Sequence, residues 1–492
     1  MTSGQGPGVR RGGAILGVAG LLEYTLQFLL PVILVRTLTP EAFGDYRLVW
    51  LLATSALAIF PLAIPLSLFH FLPKAAAPER PVLVGNALLF VALSGLAATA
   101  LLLLTWRWMP ESIAGLQEYS LLVPVFLGLW VAGSLLDVLP TADGNPHWQA
   151  GAIVGLGILR TAALGLAAIL SQDVSVVLMA LCLFALTKTL LALLYARISA
   201  STPGLALQGS LLLSQISYAL PFAIGNALFL LRVQADQWIV AAFFPPDVFA
   251  LISIATVSMA VSSLIRQPLN NATLPRLSRI IGEGDLRSAA ELLRKTYTAL
   301  SAVLLPVLGI LFVLADELVE IVYTPAYLGA APLMQLYLLG QMTGVFAAGH
   351  LLVILNAGRL ATMISAVCLA LSITLSLLGV HWFGLSGAVT GSVASLVIGE
   401  IWALVAATGR LRTSIAAVLN VQIIAKVLCA ISLAIVGALA AKALVLQDLP
   451  PWLRIAGAGT TYLAIGATIG MLLRLHRTDF GLGLATVLRR RT

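Results

Sequence analysis

Charged residues are scarce in this chain, and their scarcity indicates its class. Asp, Glu, Lys and Arg make up 10% of the 492 residues, whereas hydrophobic residues make up 60%. The mean hydropathy is +1.03. Soluble domains carry about 25% charged residues, which they need to keep their surfaces in water. The composition therefore excludes a soluble globular protein and predicts an all-α polytopic membrane protein.

Cysteine, catalytic motifs and long polar segments are also missing. The three cysteines, Cys182, Cys368 and Cys429, lie in apolar stretches, which excludes a disulfide framework. No Walker glycine loop, Ser-His-Asp grouping or metal-ligand cluster occurs in the sequence. The longest polar stretch, residues 270–296, is too short to bury a core of its own. We interpret it as a cytoplasmic connector in which a turn at Gly282 to Asp285 precedes a short amphipathic helix ending at Arg294-Lys295. We therefore predict that the protein is not an enzyme and has no catalytic residue, cofactor or metal site.

Long apolar runs dominate the sequence. A helix needs about 20 apolar residues to cross a bilayer. That criterion predicts about fourteen spans, at residues 12–38, 47–72, 83–106, 119–139, 148–170, 174–196, 211–243, 248–269, 297–322, 327–355, 360–380, 384–408, 419–445 and 452–474. An even number of spans places both termini on the same side of the membrane, which we predict to be the cytoplasm.

The distribution of basic residues agrees with this topology. Most of the 28 Lys and Arg residues fall in loops predicted to be cytoplasmic, as the positive-inside rule requires. The exceptions in predicted outer loops are Arg36, Arg47, Arg107, Lys442 and Arg454. The net charge of +8 is scattered over short loops without interleaved aromatic residues. We therefore expect anionic lipids as partners and no nucleic acid.

The chain contains an internal repeat. Pro40, Glu41 and Phe43 correspond to Pro246, Asp247 and Phe249 at an offset of 206 residues. The next loop repeats as well, because Leu72-Pro73-Lys74 corresponds to Leu274-Pro275-Arg276 at an offset of 202 residues. Self-similarity of this kind indicates that two diverged copies of one unit form the fold.

The repeat predicts four regions: a six-helix lobe over 1–197, a second over 209–408, an additional helix pair over 419–474 and a cytoplasmic tail over 475–492. Each lobe has an even number of spans, so we expect a pseudo-twofold axis along the membrane normal and superposition of residues 12–197 on 209–408. In the second lobe, Gly387, Gly391, Ser395 and Gly399 recur every four residues. Such a stripe of small residues predicts a close helix packing seam rather than a binding site.

Ionisable residues inside the spans are the candidate functional residues, because a charge in hydrocarbon normally faces a partner or a water-filled path. Glu23 lies in the first span, Arg160 in the fifth and Lys188 in the sixth. Arg232 and Asp236 lie on a polar face of the seventh span, after Pro221. We predict that Arg160, Lys188 and Arg232 line one central cavity between the lobes.

Each candidate also has a structural interpretation. Arg232 and Asp236 are four residues apart and could neutralise each other on one helix face. Glu23 could pair with Arg160 or Lys188 only to stabilise the first lobe. Lys426 and Glu400 lie close enough to helix ends for their charges to reach the membrane surface.

Three motifs, in this order, resemble a known family. They are Arg36-Thr-Leu-Thr-Pro-Glu-Ala-Phe-Gly-Asp-Tyr46, Asp236-Gln-Trp-Ile-Val240 and Leu274-Pro-Arg-Leu-Ser278, the last followed by Gly284-Asp285. Over residues 12–408 the chain resembles the polysaccharide and lipid-linked oligosaccharide flippases of the multidrug/oligosaccharidyl-lipid/polysaccharide exporter superfamily.

The resemblance implies a two-lobe transporter in the bacterial inner membrane that flips a polyprenyl-diphosphate-linked oligosaccharide to the outer leaflet by alternating access. Other membrane proteins of polysaccharide assembly are implied partners. The fourteen spans also resemble the lipid II flippase branch, so a peptidoglycan precursor is an alternative substrate. A cation-coupled multidrug antiporter with Glu23 and Asp236 as coupling carboxylates is a second alternative. A membrane-embedded glycan polymerase is disfavoured, because the predicted outer loops are short.

Overall fold

The computed structural model describes residues 7–110, 113, 115–200, 207–346, 348–473 and 475, and within them the long regular elements are all α-helices. The α-helices are α1 Pro7–Thr37, α2 Pro40–Ile59, α3 Ile64–Phe71, α4 Arg80–Thr105, α5 Leu122–Ala132, α6 Leu139–Ala142, α7 Pro146–Ser171, α8 Val174–Ala200, α9 Gly209–Phe243, α10 Pro246–Ala255, α11 Val257–Gly282, α12 Leu286–Val313, α13 Ala315–Tyr323, α14 Ala330–Gln341, α15 Gly349–Ile354, α16 Gly358–Arg410, α17 Ile415–Val418, α18 Val421–Ala441 and α19 Pro451–Leu472. The predicted tail over 475–492 lies, apart from residue 475, outside the described residues.

The described residues form thirteen helical segments that are long and apolar enough to cross a membrane. One of them, α16, is two helices joined at Gly384, whose φ of 60° and ψ of −137° are not helical. Only glycine adopts this backbone conformation readily. Separating α16 at Gly384 yields the predicted fourteen spans, so the all-α polytopic fold is confirmed.

Two predicted loops are helical in the structure. The second span begins at Pro40 rather than 47, because the Thr39 side chain accepts a hydrogen bond from Ala42 N and proline occupies the first helical turn. Arg47 was therefore wrongly assigned to an outer loop. The polar connector predicted over 270–296 has its turn at 283–285, close to the predicted Gly282 to Asp285, and the helix predicted after the turn is the start of α12; the part before the turn is the end of α11. Asp285 caps α12, where its Oδ1 accepts a hydrogen bond from Ser288 N at 3.0 Å.

The structure divides into two compact units. The first unit comprises Met1–Gln234 and Ala241–Ala250. Its apolar core joins α3, α4 and α8 through residues such as Leu68, Val84 and Tyr195. At one end of this core, Asp143 accepts hydrogen bonds from Arg80 and from the Tyr195 hydroxyl, which fixes the turn between α6 and α7.

The second unit comprises Ala235–Val240 and Leu251–Thr492. The two halves of α16 form a tight hairpin within it. A Cβ on Gly387 would lie 1.9 Å from the carbonyl oxygen of Gly379. Ser376 Oγ donates to Ala388 O at 2.7 Å, and Ser395 Oγ donates to Cys368 O at 2.6 Å. These contacts confirm that the small-residue stripe is a helix packing seam.

The last helix pair, α18 and α19, packs against α12 in the second unit. Apolar side chains such as Leu304 and Val427 join α12 to α18 in one cluster. Directly after the C-terminal end of α18, Lys442 Nζ lies 2.9 Å from Asp316 Oδ2 and 2.9 Å from Glu317 Oε2. Arg454 Nη2 lies 2.6 Å from Glu320 Oε2. The helix pair is therefore held by both apolar packing and an ion-pair network. The superposition of residues 12–197 on 209–408 stays a prediction.

Candidate functional site

The first unit encloses a cavity of about 530 Å³. Five helices contribute side chains to it, and we call it the first-unit cavity. Its lining residues are Glu23, Gln27, Leu30, Pro31, Tyr46, Arg47, Trp50, Thr54, Trp130, Leu136, Asp137, Gln149, Ala152, Ile153, Leu156, Gly157, Arg160, Phe184 and Lys188. Cavities of this volume are typical of small-molecule sites.

Helical periodicity explains how two of the walls form. On α2, Tyr46, Trp50 and Thr54 follow one another at intervals of four residues, which aligns them on a single face. On α7, Gln149 and Arg160 are eleven residues apart, close to three full turns, so they also share a face. One face of α2 and one face of α7 therefore line the cavity with both polar and aromatic or apolar side chains.

Arg160 is the most isolated charge of the first-unit cavity. The residue is 9% exposed, and its Nε is buried without a hydrogen-bond partner among the described residues. Its guanidinium carbon lies 5.8 Å from the centre of the Trp50 ring, within range of a cation–π interaction. A buried guanidinium without a carboxylate partner is costly in the membrane and is expected where an anion binds.

Lys188 has a different environment in the same cavity. Its Nζ lies 2.8 Å from Asp137 Oδ2 and 4.1 Å from the centre of the Trp130 ring. The Lys188 side chain is 5% exposed, whereas that of Asp137 is 51% exposed. Asp137 therefore holds the ammonium in place and offsets part of its charge.

Glu23 lies on the same cavity but pairs with neither predicted cation. Among the described residues, its only hydrogen bond is to Gln27 Nε2, which donates to Glu23 Oε1 at 3.0 Å. The hypothesis that Glu23 pairs with Arg160 or Lys188 is wrong, because the described residues form no such ion pair and Lys188 pairs instead with Asp137 of the 3₁₀ helix Gly133–Asp137.

The structure does not place Arg232 among the residues that line the first-unit cavity. Its guanidinium carbon lies 5.5 Å from the centre of the Phe229 ring, on the same helix. Two residues further along α9, Gln234 bonds to α2, where its Nε2 donates to Thr54 Oγ1 at 2.8 Å. The role of Arg232 in substrate binding stays a prediction.

Asp236 is fully buried in the second unit. The Tyr337 hydroxyl donates to its Oδ2, and Gln237 N donates to its Oδ1 at 2.8 Å. Its carboxylate is thus held by hydrogen-bond donors rather than by an ion pair in the described part of the unit. Asp236 is not among the lining residues of the first-unit cavity, and its predicted role in substrate binding remains untested.

Several residues of the first-unit cavity were not predicted from the sequence. Asp137 gave a usable signal, since it is an acidic residue near the end of an apolar span. Trp50, Trp130 and Phe184 gave none, because aromatic residues are common in any span. In the structure, Trp50 and Trp130 pack edge to face with ring centres 5.1 Å apart, and Phe184 follows at 6.2 Å from Trp130. These three rings form an aromatic wall beside the two cations.

The sequence of the chain matches a family described as "Polysaccharide biosynthesis protein" over residues 87–332, half of its length. The chain belongs to the polysaccharide biosynthesis protein family. A second family with the same description matches residues 9–140. The two matches together cover most of the first unit. Of the five helices that line the first-unit cavity, four lie entirely within the matched residues. The resemblance seen in the sequence motifs is therefore confirmed. No curated protein sequence is significantly similar to the chain.

Solved structures of the MOP superfamily have the same fold. The lipid II flippase MurJ in an inward closed conformation superposes with a TM-score of 0.71 at 12% identity, covering 94% of this chain and 99% of its own. An inward-facing multidrug resistance MATE transporter superposes with a TM-score of 0.63 at 14% identity, covering 79% of this chain and 96% of its own. A MOP superfamily transporter from Pyrococcus furiosus, described as having a binding pocket of reverse polarity, superposes with a TM-score of 0.53 at 13% identity, covering 82% of this chain and 96% of its own.

The match to the lipid II flippase structure extends into the last helix pair of this chain. A match over 94% of the 492 residues must extend beyond residue 418, where α17 ends. The lipid II flippase fold therefore has counterparts for part of this region. At these identities the likeness concerns the fold alone.

Proposed function

We propose that this member of the polysaccharide biosynthesis protein family is a flippase that carries a polyprenyl-diphosphate-linked oligosaccharide from the cytoplasmic to the outer leaflet by alternating access. The observation that carries the proposal is the charge of the first-unit cavity. It is lined by three cationic side chains, Arg47, Arg160 and Lys188, and by two carboxylates, Glu23 and Asp137. A cationic cavity in a family of polysaccharide biosynthesis proteins suits an anionic, sugar-bearing substrate.

Arg160 is the residue best suited to bind the diphosphate. Guanidinium presents parallel N–H donors that match two phosphate oxygens, and its bonds to phosphate are charge-assisted. Because Arg160 has no carboxylate partner in the described part of the unit, it binds an anion without first breaking an ion pair. Lys188 supplies a second positive charge, which Asp137 holds at the cavity wall.

The aromatic wall suits the sugar next to the diphosphate. Trp50 and Trp130 contribute aromatic surface to the cavity lining, and Gln149 and Thr54 line the same cavity with polar side chains. Sites that combine an apolar surface with a few placed polar groups orient small ligands. A cavity of about 530 Å³ accommodates the diphosphate with its first sugars. The polyprenyl tail then stays in the lipid, where its burial requires no protein pocket.

The charge distribution disfavours the antiporter. A cation-coupled multidrug antiporter needs a cavity carboxylate without a compensating cation. Asp137 pairs with Lys188, and Glu23, which has no ion pair among the described residues, lies in a cavity where three cations outnumber two carboxylates. The lipid II flippase fold extends into the last helix pair, which keeps a peptidoglycan precursor as the second candidate substrate.

Reconstitution in vesicles tests the proposal. Vesicles with and without the protein receive a fluorescent polyprenyl-diphosphate oligosaccharide, and a membrane-impermeant reagent then bleaches the label on the outer leaflet. We expect the protein to expose the inner-leaflet label. A soluble lipophilic cation, tested in parallel with an imposed ion gradient, should not be transported. Transport of the cation with an unchanged distribution of the lipid would refute the proposal and favour the antiporter. A disaccharide–pentapeptide lipid substrate distinguishes the peptidoglycan precursor.

A further inference from the structure

The second unit contains another cavity, which the proposed function does not use. It is a groove of about 470 Å³ between the first turns of α12 and the segment that follows α16. We call it the arginine groove. It is lined by Leu286, Arg287, Ala290, Glu291, Arg294, Leu411, Arg412, Thr413 and Ala417.

Three arginine residues line the arginine groove. Arg287 and Arg294 are seven residues apart on α12, so they lie about 10 Å apart along one face of the helix. Arg412 lines the groove from a different segment, just after the end of α16. All three side chains are exposed, and none forms an ion pair with another described residue.

The nearby carboxylates are already engaged. Glu291, the one acidic residue that lines the groove, lies 2.7 Å from Lys295 Nζ. Asp285, just before α12, accepts the backbone N–H of Ser288 as a helix cap. Three positive charges therefore face one carboxylate that has its own partner, which leaves the groove with a strong positive potential.

The groove is also preorganised. Arg412 has a left-handed backbone conformation, with φ of 50°, and follows the last turn of α16. Its N–H donates to Gly409 O at 3.2 Å, and Thr413 N donates to Thr408 O at 3.1 Å. Leu411, Leu293 and Val418 belong to one buried apolar cluster beneath the groove. The segment is thus held in place before any ligand binds, and only side-chain freedom is lost on binding.

The position of the groove indicates what occupies it. The helix α12 begins at Leu286 and α16 ends at Arg410, so the three arginines lie at the adjacent ends of two helices that are long and apolar enough to cross a membrane. Phosphate groups of lipids lie at this level, and basic pockets between helix ends suit anionic headgroups. Leu286 and Ala417 add apolar surface beside the charges, as expected where a glycerol backbone adjoins a phosphate.

We propose that the arginine groove binds the phosphate headgroup of an anionic phospholipid of the surrounding bilayer. The guanidinium groups of Arg287, Arg294 and Arg412 coordinate the phosphate oxygens. The proposal is independent of the transported substrate and of the direction of transport.

Native mass spectrometry of the full-length protein in detergent tests the site, with phosphatidylglycerol and phosphatidylcholine as probes. We expect phosphatidylglycerol to bind at least about tenfold more tightly than phosphatidylcholine, because both carry one phosphate but only phosphatidylcholine adds a choline cation, which the three guanidinium groups repel. The triple variant R287Q/R294Q/R412Q should lose this preference. The matched control R276Q/R279Q/R359Q removes the same charge from three exposed arginines of the same unit and should keep it.

Three outcomes would overturn the proposal. Equal binding of both lipids by the unaltered protein would exclude an anionic headgroup site. Loss of the preference in both triple variants would assign it to overall charge rather than to the groove. Displacement of phosphatidylglycerol by equimolar pyrophosphate would identify a site for soluble phosphate instead of lipid. Unfolding of the groove variant is checked by its melting temperature, and R412K, which keeps the charge, should retain most of the preference.

Discussion

Replacement of Arg160 separates a ligand-binding role from a structural one. If the guanidinium binds the diphosphate, Arg160→Met removes charge-assisted contacts worth about 1.5–3 kcal/mol, which weakens binding about tenfold to a hundredfold. The same change should leave the stability unchanged or raise it. A lone arginine in the membrane costs about 2.5–3.5 kcal/mol on insertion scales. Its cation–π interaction with Trp50, at 5.8 Å, returns only about 0.5–2 kcal/mol.

The assay is the vesicle flipping experiment, combined with thermal unfolding in detergent. We expect transport at subsaturating substrate to fall in the order unaltered protein, Arg160→Lys, Arg160→Met, because lysine keeps the charge but loses the planar fork. Melting temperatures should stay equal or rise along this series. The matched control is Arg197→Met, which removes an exposed arginine from the end of α8 in the same unit. If Arg160→Met lowers the melting temperature so far that the protein is partly unfolded at the assay temperature, unfolding explains the lost transport and the ligand-binding role is refuted.

Three further predictions concern other parts of the molecule. Lys442→Met should lower the free energy of unfolding by about 1–3 kcal/mol, because it removes the 2.9 Å contact to the buried Glu317 and leaves that carboxylate only Arg454, 3.7 Å away. Adding Glu317→Gln should recover part of the loss, and an unchanged melting temperature would contradict the prediction. Gly387→Val should prevent normal folding, since its Cβ would overlap the Gly379 carbonyl oxygen at 1.9 Å. The control Gly409→Val, whose Cβ meets no atom within 4 Å, should express normally, and similar yields of the two variants would show that the hairpin seam is not tight. Arg232→Ala should reduce glycan export more than Arg232→Lys does if Arg232 contacts the diphosphate, and normal export by the Ala variant at normal protein level would remove it from the substrate site.

The fold class was determined by the sequence alone. A bilayer requires about 20 apolar residues for each crossing, and this requirement acts on each segment separately. Spans could therefore be counted without knowing their neighbours. The small-residue stripe around Gly387 was also predictable, because close helix approach excludes large side chains at every fourth residue. Helix boundaries were less predictable, since the polar sequence at Thr39 to Tyr46 and over 270–296 is compatible with both a loop and a helix end.

The candidate site was predictable only in part. The cost of a charge in hydrocarbon identified Glu23, Arg160 and Lys188 one by one, and the structure places all three on the first-unit cavity. Which charges pair depends on contacts between helices that are far apart in sequence, such as Lys188 with Asp137, 51 residues away. The aromatic wall depends on the rotation of each helix about its own axis. Tertiary packing alone decides that rotation, so only the structure separated the isolated Arg160 from the paired Lys188.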